Sequence, residues 1–254
     1  MTDNELIQLI IKYENATDFE KRSLLDTIKQ INDDQFGFLI KYKHLIYWWT
    51  QAEILIALGY PRVKPILHKL FEWLQDFNWP GALDLTEQLL LKLDKPVFIE
   101  QMTIALRRAL IDMDTEWVYW LTTLADSYGL QQNDFTEEDN AYDIIMLDRD
   151  AYDEDGMSFS TILNTLLEWG YPRIRQFLPM ILSSLSSRDS GQSEEQEVQC
   201  MAVIDLLPQE ARECEIKKAL AQLHYTGKLN SIGYLQKIVP IDDTEEALVS
   251  YFNT

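Results

Sequence analysis

The chain has 254 residues, of which 46% are hydrophobic and 25% charged, a balance that supplies a real core and excludes a disordered tail, a collagen-like rod or a disulfide-stapled miniprotein. Asp and Glu number 42 against 22 Lys and Arg, for a formal charge of -20. Phosphate backbones would be repelled, so nucleic acid is not an expected partner, and any charged partner should be basic.

The first residues, Met1-Thr2-Asp3-Asn4-Glu5, carry acid where a secretory leader needs positive charge. The most apolar window, Leu45 to Tyr60, holds Thr50, Gln51 and Glu53 in its middle, and an unpaired carboxylate there is costly in lipid. It reads as a buried helix, with no membrane partner. Cys200 and Cys214 have neither the spacing of a zinc or redox site nor the density of a secreted scaffold. Reduced thiols and a cytoplasmic setting are the expectation, with a disulfide between neighbouring helices as the alternative.

Helical periodicity recurs along the chain, and strand-like alternation between turns does not. Thr2 to Glu5 and Thr17 to Glu20 have the S/T-x-x-E form that caps a helix start. A long helix over Leu45 to Leu58 should follow. Pro61, Pro80 and Pro96 each precede an apolar-periodic run, as Pro in a first helical turn does. After Pro61 the stripe is Val63, Ile66, Leu67, Leu70, Phe71 and Leu74; after Pro80 it is Ala82, Leu85, Leu89, Leu90 and Leu93. After Pro96 come Phe98, Met102, Ala105, Leu106, Ala109 and Leu110. Asp114 should cap a fourth helix that buries Trp117, Trp120, Leu121, Leu124, Ala125 and Tyr128.

These starts space helix pairs by roughly 35 residues, near the period of HEAT-type repeats. The expected fold is therefore all-α: stacked antiparallel helix pairs in a HEAT-like α-solenoid. Internal similarity supports it. Gly59-Tyr60-Pro61-Arg62 recurs as Gly170-Tyr171-Pro172-Arg173, and the stripe that follows is matched by Ile174, Phe177, Leu178, Ile181, Leu182 and Leu185. Gly should close the preceding helix in a left-handed conformation and Pro start the next.

Between Gly129 and Gly156 the chain carries Asp134, Glu137, Glu138, Asp139, Asp143, Asp148, Asp150, Asp153, Glu154 and Asp155 against a single Arg149. So long a connection is uncommon, and it reads as an acidic insertion. The domain expectation is an N-terminal helical half over 1–130, the insertion over 131–156 and a C-terminal helical half over 157–254, with one continuous domain as the alternative. In the C-terminal half, helices are expected over Ser158 to Trp169, Arg173 to Ser186, Glu194 to Leu207, Gln209 to His224, Ser231 to Ile238 and Thr244 to Phe252. Ser186 to Ser193 reads as a polar loop.

Leu70-Phe71-Glu72-Trp73-Leu74-Gln75-Asp76-Phe77-Asn78-Trp79-Pro80-Gly81-Ala82 resembles the W-L-Q-D-x-N-W-P segment of a bacterial family, domain of unknown function 5071. Asp112, Asp114, Trp117, Tyr119 and Trp120 are similar to its later D-x-x-W-x-Y-W element, so the resemblance covers about Gly59 to Leu130. It implies a helical, repeat-like fold, carries no enzymatic activity and suggests a link to bacterial toxin-immunity proteins. Read physically, Trp73, Phe77 and Trp79 are apolar anchors around a turn, while Asp76 and Asn78 can accept from free amides at a helix start. Trp73, Asp76, Asn78, Trp79, Pro80, Asp114, Trp117 and Trp120 thus form a structural motif, with a binding or catalytic cluster as the alternative.

His44, His68 and His224 are the only histidines, and none neighbours a nucleophile motif. The pairs Asp112 with Asp114 and Asp148 with Asp150 could act as acid and base, yet 42 carboxylates produce close pairs without selection for chemistry. The calcium-loop pattern fails: aligned on Gly156, it puts Ala151 at the first ligand position and Ile162 where the bidentate Glu belongs. No catalytic, cofactor or metal residue is expected. The partner-binding candidates are Asp134, Glu137, Glu138, Asp139, Asp148, Asp150, Asp153, Glu154 and Asp155. The expected function is non-catalytic protein binding, in the form of an immunity protein holding a basic toxin domain. A carboxylate-based hydrolase in the groove and a general scaffold are the alternatives.

Overall fold

The computed structural model describes residues 2–32, 35–41, 48–135, 141–151, 157–186 and 194–225, and among them helices and turns account for all regular structure. The chain divides into two compact units, Met1–Ala105 with Tyr119–Leu130, and Leu106–Val118 with Gln131–Thr254.

The first unit opens with α1 (Asp3–Glu14) and α2 (Asp18–Ile28). Each start is held by a reciprocal box. The Thr2 and Thr17 hydroxyls accept from the Glu5 and Glu20 amides, and those two carboxylates accept from the threonine amides at 2.6 and 2.9 Å. These bonds pull both glutamates below their ordinary pKa. The helix α3 (Phe36–Lys41) and α1 both pack on α4 (Trp48–Leu58), which in turn packs on α6 (Ala82–Gln88). Between them lies α5 (Leu67–Glu72), and beyond come α7 (Lys95–Asp112) and α8 (Thr115–Tyr128), each contributing residues to both units.

In the second unit, α9 (Tyr142–Ala151) and α12 (Glu194–Asp205) pack against α10 (Phe159–Trp169). The next helix, α11 (Leu178–Ser186), packs against α12 and α13 (Gln209–Tyr225). The expected helices over 231–238 and 244–252 and the polar loop over 187–193 lie outside the described residues.

The duplicated stripe is buried in both copies: Val63, Leu70, Phe71 and Leu74 match Ile174, Ile181, Leu182 and Leu185, none more than 2% exposed. Gly59 and Gly170 close α4 and α10 at φ 64 and 67, a region that a side chain would disfavour. Each following Arg lies over an aromatic ring, Arg62 at 4.6 Å over Phe36 and Arg173 at 3.4 Å over Trp169. The second joint adds a buried polar node, in which Asp143 accepts from Arg173 Nε at 3.1 Å and from Gln176 Nε2 at 2.9 Å. Both carboxylate oxygens are satisfied, and the node ties α9 to the joint.

Three expectations are corrected. Pro61 and Pro172 do not begin helices; each follows a cis peptide bond in a turn, and a short 3-10 stretch (Lys64–Ile66 or Arg173–Phe177) precedes α5 or α11. In the first copy, Pro65 has no N–H to give the Pro61 carbonyl, so an α-helix cannot start until that residue is passed. Pro80 likewise sits in the turn before α6 rather than in its first turn. Finally, the acidic insertion is not a bare connection. Its second half is α9, whose Ala141, Ile144, Ile145, Leu147 and Ala151 are core residues. Their spacing of three and four is helical, but the run of carboxylates between them disguises it.

Candidate functional site

The W-L-Q-D-x-N-W-P segment forms a corner between α5 and α6. Trp73 and Leu74 continue α5 as a buried 3-10 turn. Asp76 then breaks the helix, and its carboxylate accepts from the Asn78 amide at 2.8 Å while its carbonyl accepts from the Trp79 amide at 3.0 Å. The Trp79 carbonyl takes the Ala82 amide, which joins the corner to α6. Asp76 is therefore a turn former, as its short acceptor side chain suggests.

Gly81 is what lets α6 approach α4. At φ 82, its backbone lies so close to α4 that a Cβ there would overlap the Ala52 methyl and stand 3.6 Å from the Trp48 carbonyl. Around this contact the aromatics interlock: Trp48 meets Trp79 edge to face at 5.2 Å and Trp73 at 6.0 Å, and Phe77 stacks on Trp120 at 5.0 Å. Trp73 is 3% exposed, but Trp48, Phe77 and Trp79 are only half-buried, and Trp49 and Leu83 are 61% and 54% exposed. The core anchors thus shade into an open apolar surface. Trp49 and Leu83 escaped the sequence reading because burial, not residue type, distinguishes them from their neighbours.

Asp114 caps α8 as expected, accepting from the Trp117 amide at 3.0 Å, and Trp117 is buried. Trp120 is half-buried rather than buried. Asp112 accepts from Arg108 Nε at 2.8 Å, so Asp112 and Asp114 are engaged in separate structural bonds instead of facing a common reactant.

The acidic candidates separate. Asp134 accepts from the Gln131 amide at 2.8 Å and closes a short 3-10 turn. Asp150 is exposed, whereas Asp148 is buried at 4% exposure and so cannot belong to an open partner-binding face. Two residues apart on α9, Asp148 and Asp150 point to different sides of the helix and make no catalytic pair. Glu137, Glu138, Asp139, Asp153, Glu154 and Asp155 lie outside the described residues, as does His44. His68 is exposed on α5; partial burial and the neighbouring Lys69 lower its pKa. Among the described residues, no three His, Cys, Asp or Glu gather as a metal site would require, and no helix is long and apolar enough to cross a membrane. Cys200 and Cys214 are both free, the first buried and the second exposed.

Residues 50–146 match the family model of a domain of unknown function, DUF5071. The DUF5071 segment is longer at both ends than the motifs alone suggest, since it begins within α4 and runs into α9. It contains the whole corner, the α4–α6 contact from Thr50 onward and the Asp114 cap. No curated protein and no solved structure matches the chain.

Proposed function

We propose that the chain is a non-catalytic protein-binding module whose partner is basic. The observation that carries this reading is the charge of -20 on a chain of helices. An excess of that size speeds encounter with a cationic surface and disfavours acidic competitors. Helical surfaces of this kind offer broad faces rather than single deep clefts, and a HEAT-like stacking of the pairs would extend them. Asp76, Asp112, Asp114 and Asp143, the carboxylates most open to a catalytic reading, are used in turns, caps and ion pairs, which favours binding over hydrolysis.

The specific form of the proposal is immunity: the chain covers a basic toxin domain within a bacterial cytoplasm. The test is capture on the immobilised full chain from extract of the native cell, followed by the association rate of the recovered protein at rising salt. A basic partner whose association slows by an order of magnitude or more between low and physiological salt supports the reading. A neutral or acidic partner, or substrate turnover abolished by an Asp→Asn change, would overturn it.

A further inference from the structure

We propose that the open apolar surface where α4 crosses α6, formed by Trp49 and Leu83 over the half-buried Trp48, docks an arginine-bearing segment of a basic protein partner. Gly81 brings the start of α6 against the first turn of α4, so Trp49 and Leu83 stand on adjoining elements of the same unit. Large apolar side chains this exposed, on rigid helices and clustered rather than scattered, mark contact surfaces.

The fold does not require them. The helix α10 ends on the same Gly-Tyr-Pro-Arg joint as α4 and has the same length, and there Trp48 falls opposite Phe159 and Trp49 opposite Ser160. Continued in that register, Trp73, Phe77 and Trp79 fall opposite Ser184, Arg188 and Ser190. The core stripe is kept in both copies while the outward aromatics occur in one. A residue that the joint can do without is free to serve an interface.

Charge identifies the occupant. From Leu70 to Leu91 the chain carries Glu72, Asp76, Asp84 and Glu87 and no Lys, Arg or His. Glu87 is exposed and Asp84 half-exposed on α6 beside Leu83. An indole face rimmed by carboxylates suits a guanidinium, which stacks on the ring through its plane while its N–H groups reach the acids. An ammonium gains the charge but not the planar stacking. The molecule already uses this contact internally, with Arg173 over Trp169 and Arg62 over Phe36.

This proposal rests on the basic-partner reading, and a peptide experiment separates the two. Hexa-arginine, hexa-lysine and hexa-glutamate peptides would be titrated calorimetrically into the full chain, into Trp49→Ala, into Asp84→Asn/Glu87→Gln and into Asp134→Asn/Asp150→Asn. Melting curves would confirm that each variant is folded. Hexa-arginine is expected to bind more tightly than hexa-lysine, and both the Trp49 and the Asp84/Glu87 variants should weaken it about fivefold or more. Hexa-glutamate should not bind. Equal affinity for arginine and lysine, or no loss in the Trp49 variant, would overturn the α4–α6 site. If hexa-arginine binding is lost only in the Asp134/Asp150 variant, the basic-partner reading stands and this site falls. If no cationic peptide binds, both fall.

Discussion

Gly81 and Asp143 show how single residues hold the two units. At Gly81 two demands coincide, a φ of 82 and a backbone close enough to Ala52 that an added methyl collides. Gly81→Ala therefore combines left-handed strain with overpacking and should cost about 2–4 kcal/mol, read as a lower urea midpoint at unchanged slope. A loss of only a few tenths would mean that α6 shifts freely off α4. At Asp143 the balance is electrostatic. Burial raises the carboxyl above its ordinary 3.8, and Arg173 and Gln176 bring it only part of the way back. In the folded state the proton is held more tightly than in the unfolded chain, so this group favours folding at low pH and its contribution declines as pH rises from about 3.8. Asp143→Asn, which keeps an acceptor without the charge, should cost about 1 kcal/mol or less at neutral pH. Asp143→Ala strands both donors and should cost about 1–3 kcal/mol. The gap between wild type and the Asn variant should also shift in favour of the variant between pH 4 and 7; a gap flat with pH would remove the electrostatic account.

At the scale of elements, the starts of α1 and α2 respond to pH in the opposite sense. Glu5 and Glu20 are held below their ordinary value of 4.5 by the Thr2 and Thr17 amides and hydroxyls. Their contribution is complete above that value and disappears as falling pH protonates them. Amide exchange in the first turns of α1 and α2, corrected for intrinsic rate, should speed up below pH 4.5 more than in α10, where Ser158 caps without a carboxylate partner. Equal loss of protection in all three helices would argue that the boxes contribute nothing. The two boxes were legible in the sequence because a cap is local: four consecutive residues contain both halves of it. The paired core stripes were legible for a similar reason, since burial at helical spacing leaves a periodic trace. The corner was legible as a turn with aromatic anchors, but not as the place where α6 meets α4, because the Gly81–Ala52 approach joins residues distant in sequence. The helix α9 was obscured by its own charge, its four carboxylates and Arg149 drawing attention from the apolar stripe. The real starts of α5 and α11 were missed because Pro marks a turn as readily as a first helical turn, and only the second proline, Pro65 or Pro179, settles where the ladder can begin.

For the whole molecule, one quantity should drive two opposite responses. With a formal charge of -20 and an isoelectric point near 4.4, like charges crowd the folded chain at neutral pH and their mutual repulsion opposes compaction. Salt screens that repulsion over about 8–10 Å at physiological strength. Raising sodium chloride from about 20 to 200 mM at pH 7 should therefore raise the melting temperature by a few degrees. The same screening weakens attraction to a cationic surface, so the same increment should slow association with a basic partner. The two slopes should converge on zero together as pH falls toward 4.4, where the net charge that drives both vanishes. Calorimetric melting and stopped-flow association, run on one salt series at two pH values, measure both. If association kept its salt dependence at the isoelectric point while the melting temperature lost its own, binding would depend on a local charged patch such as Asp84 and Glu87 on α6, and the global surplus would serve solubility alone.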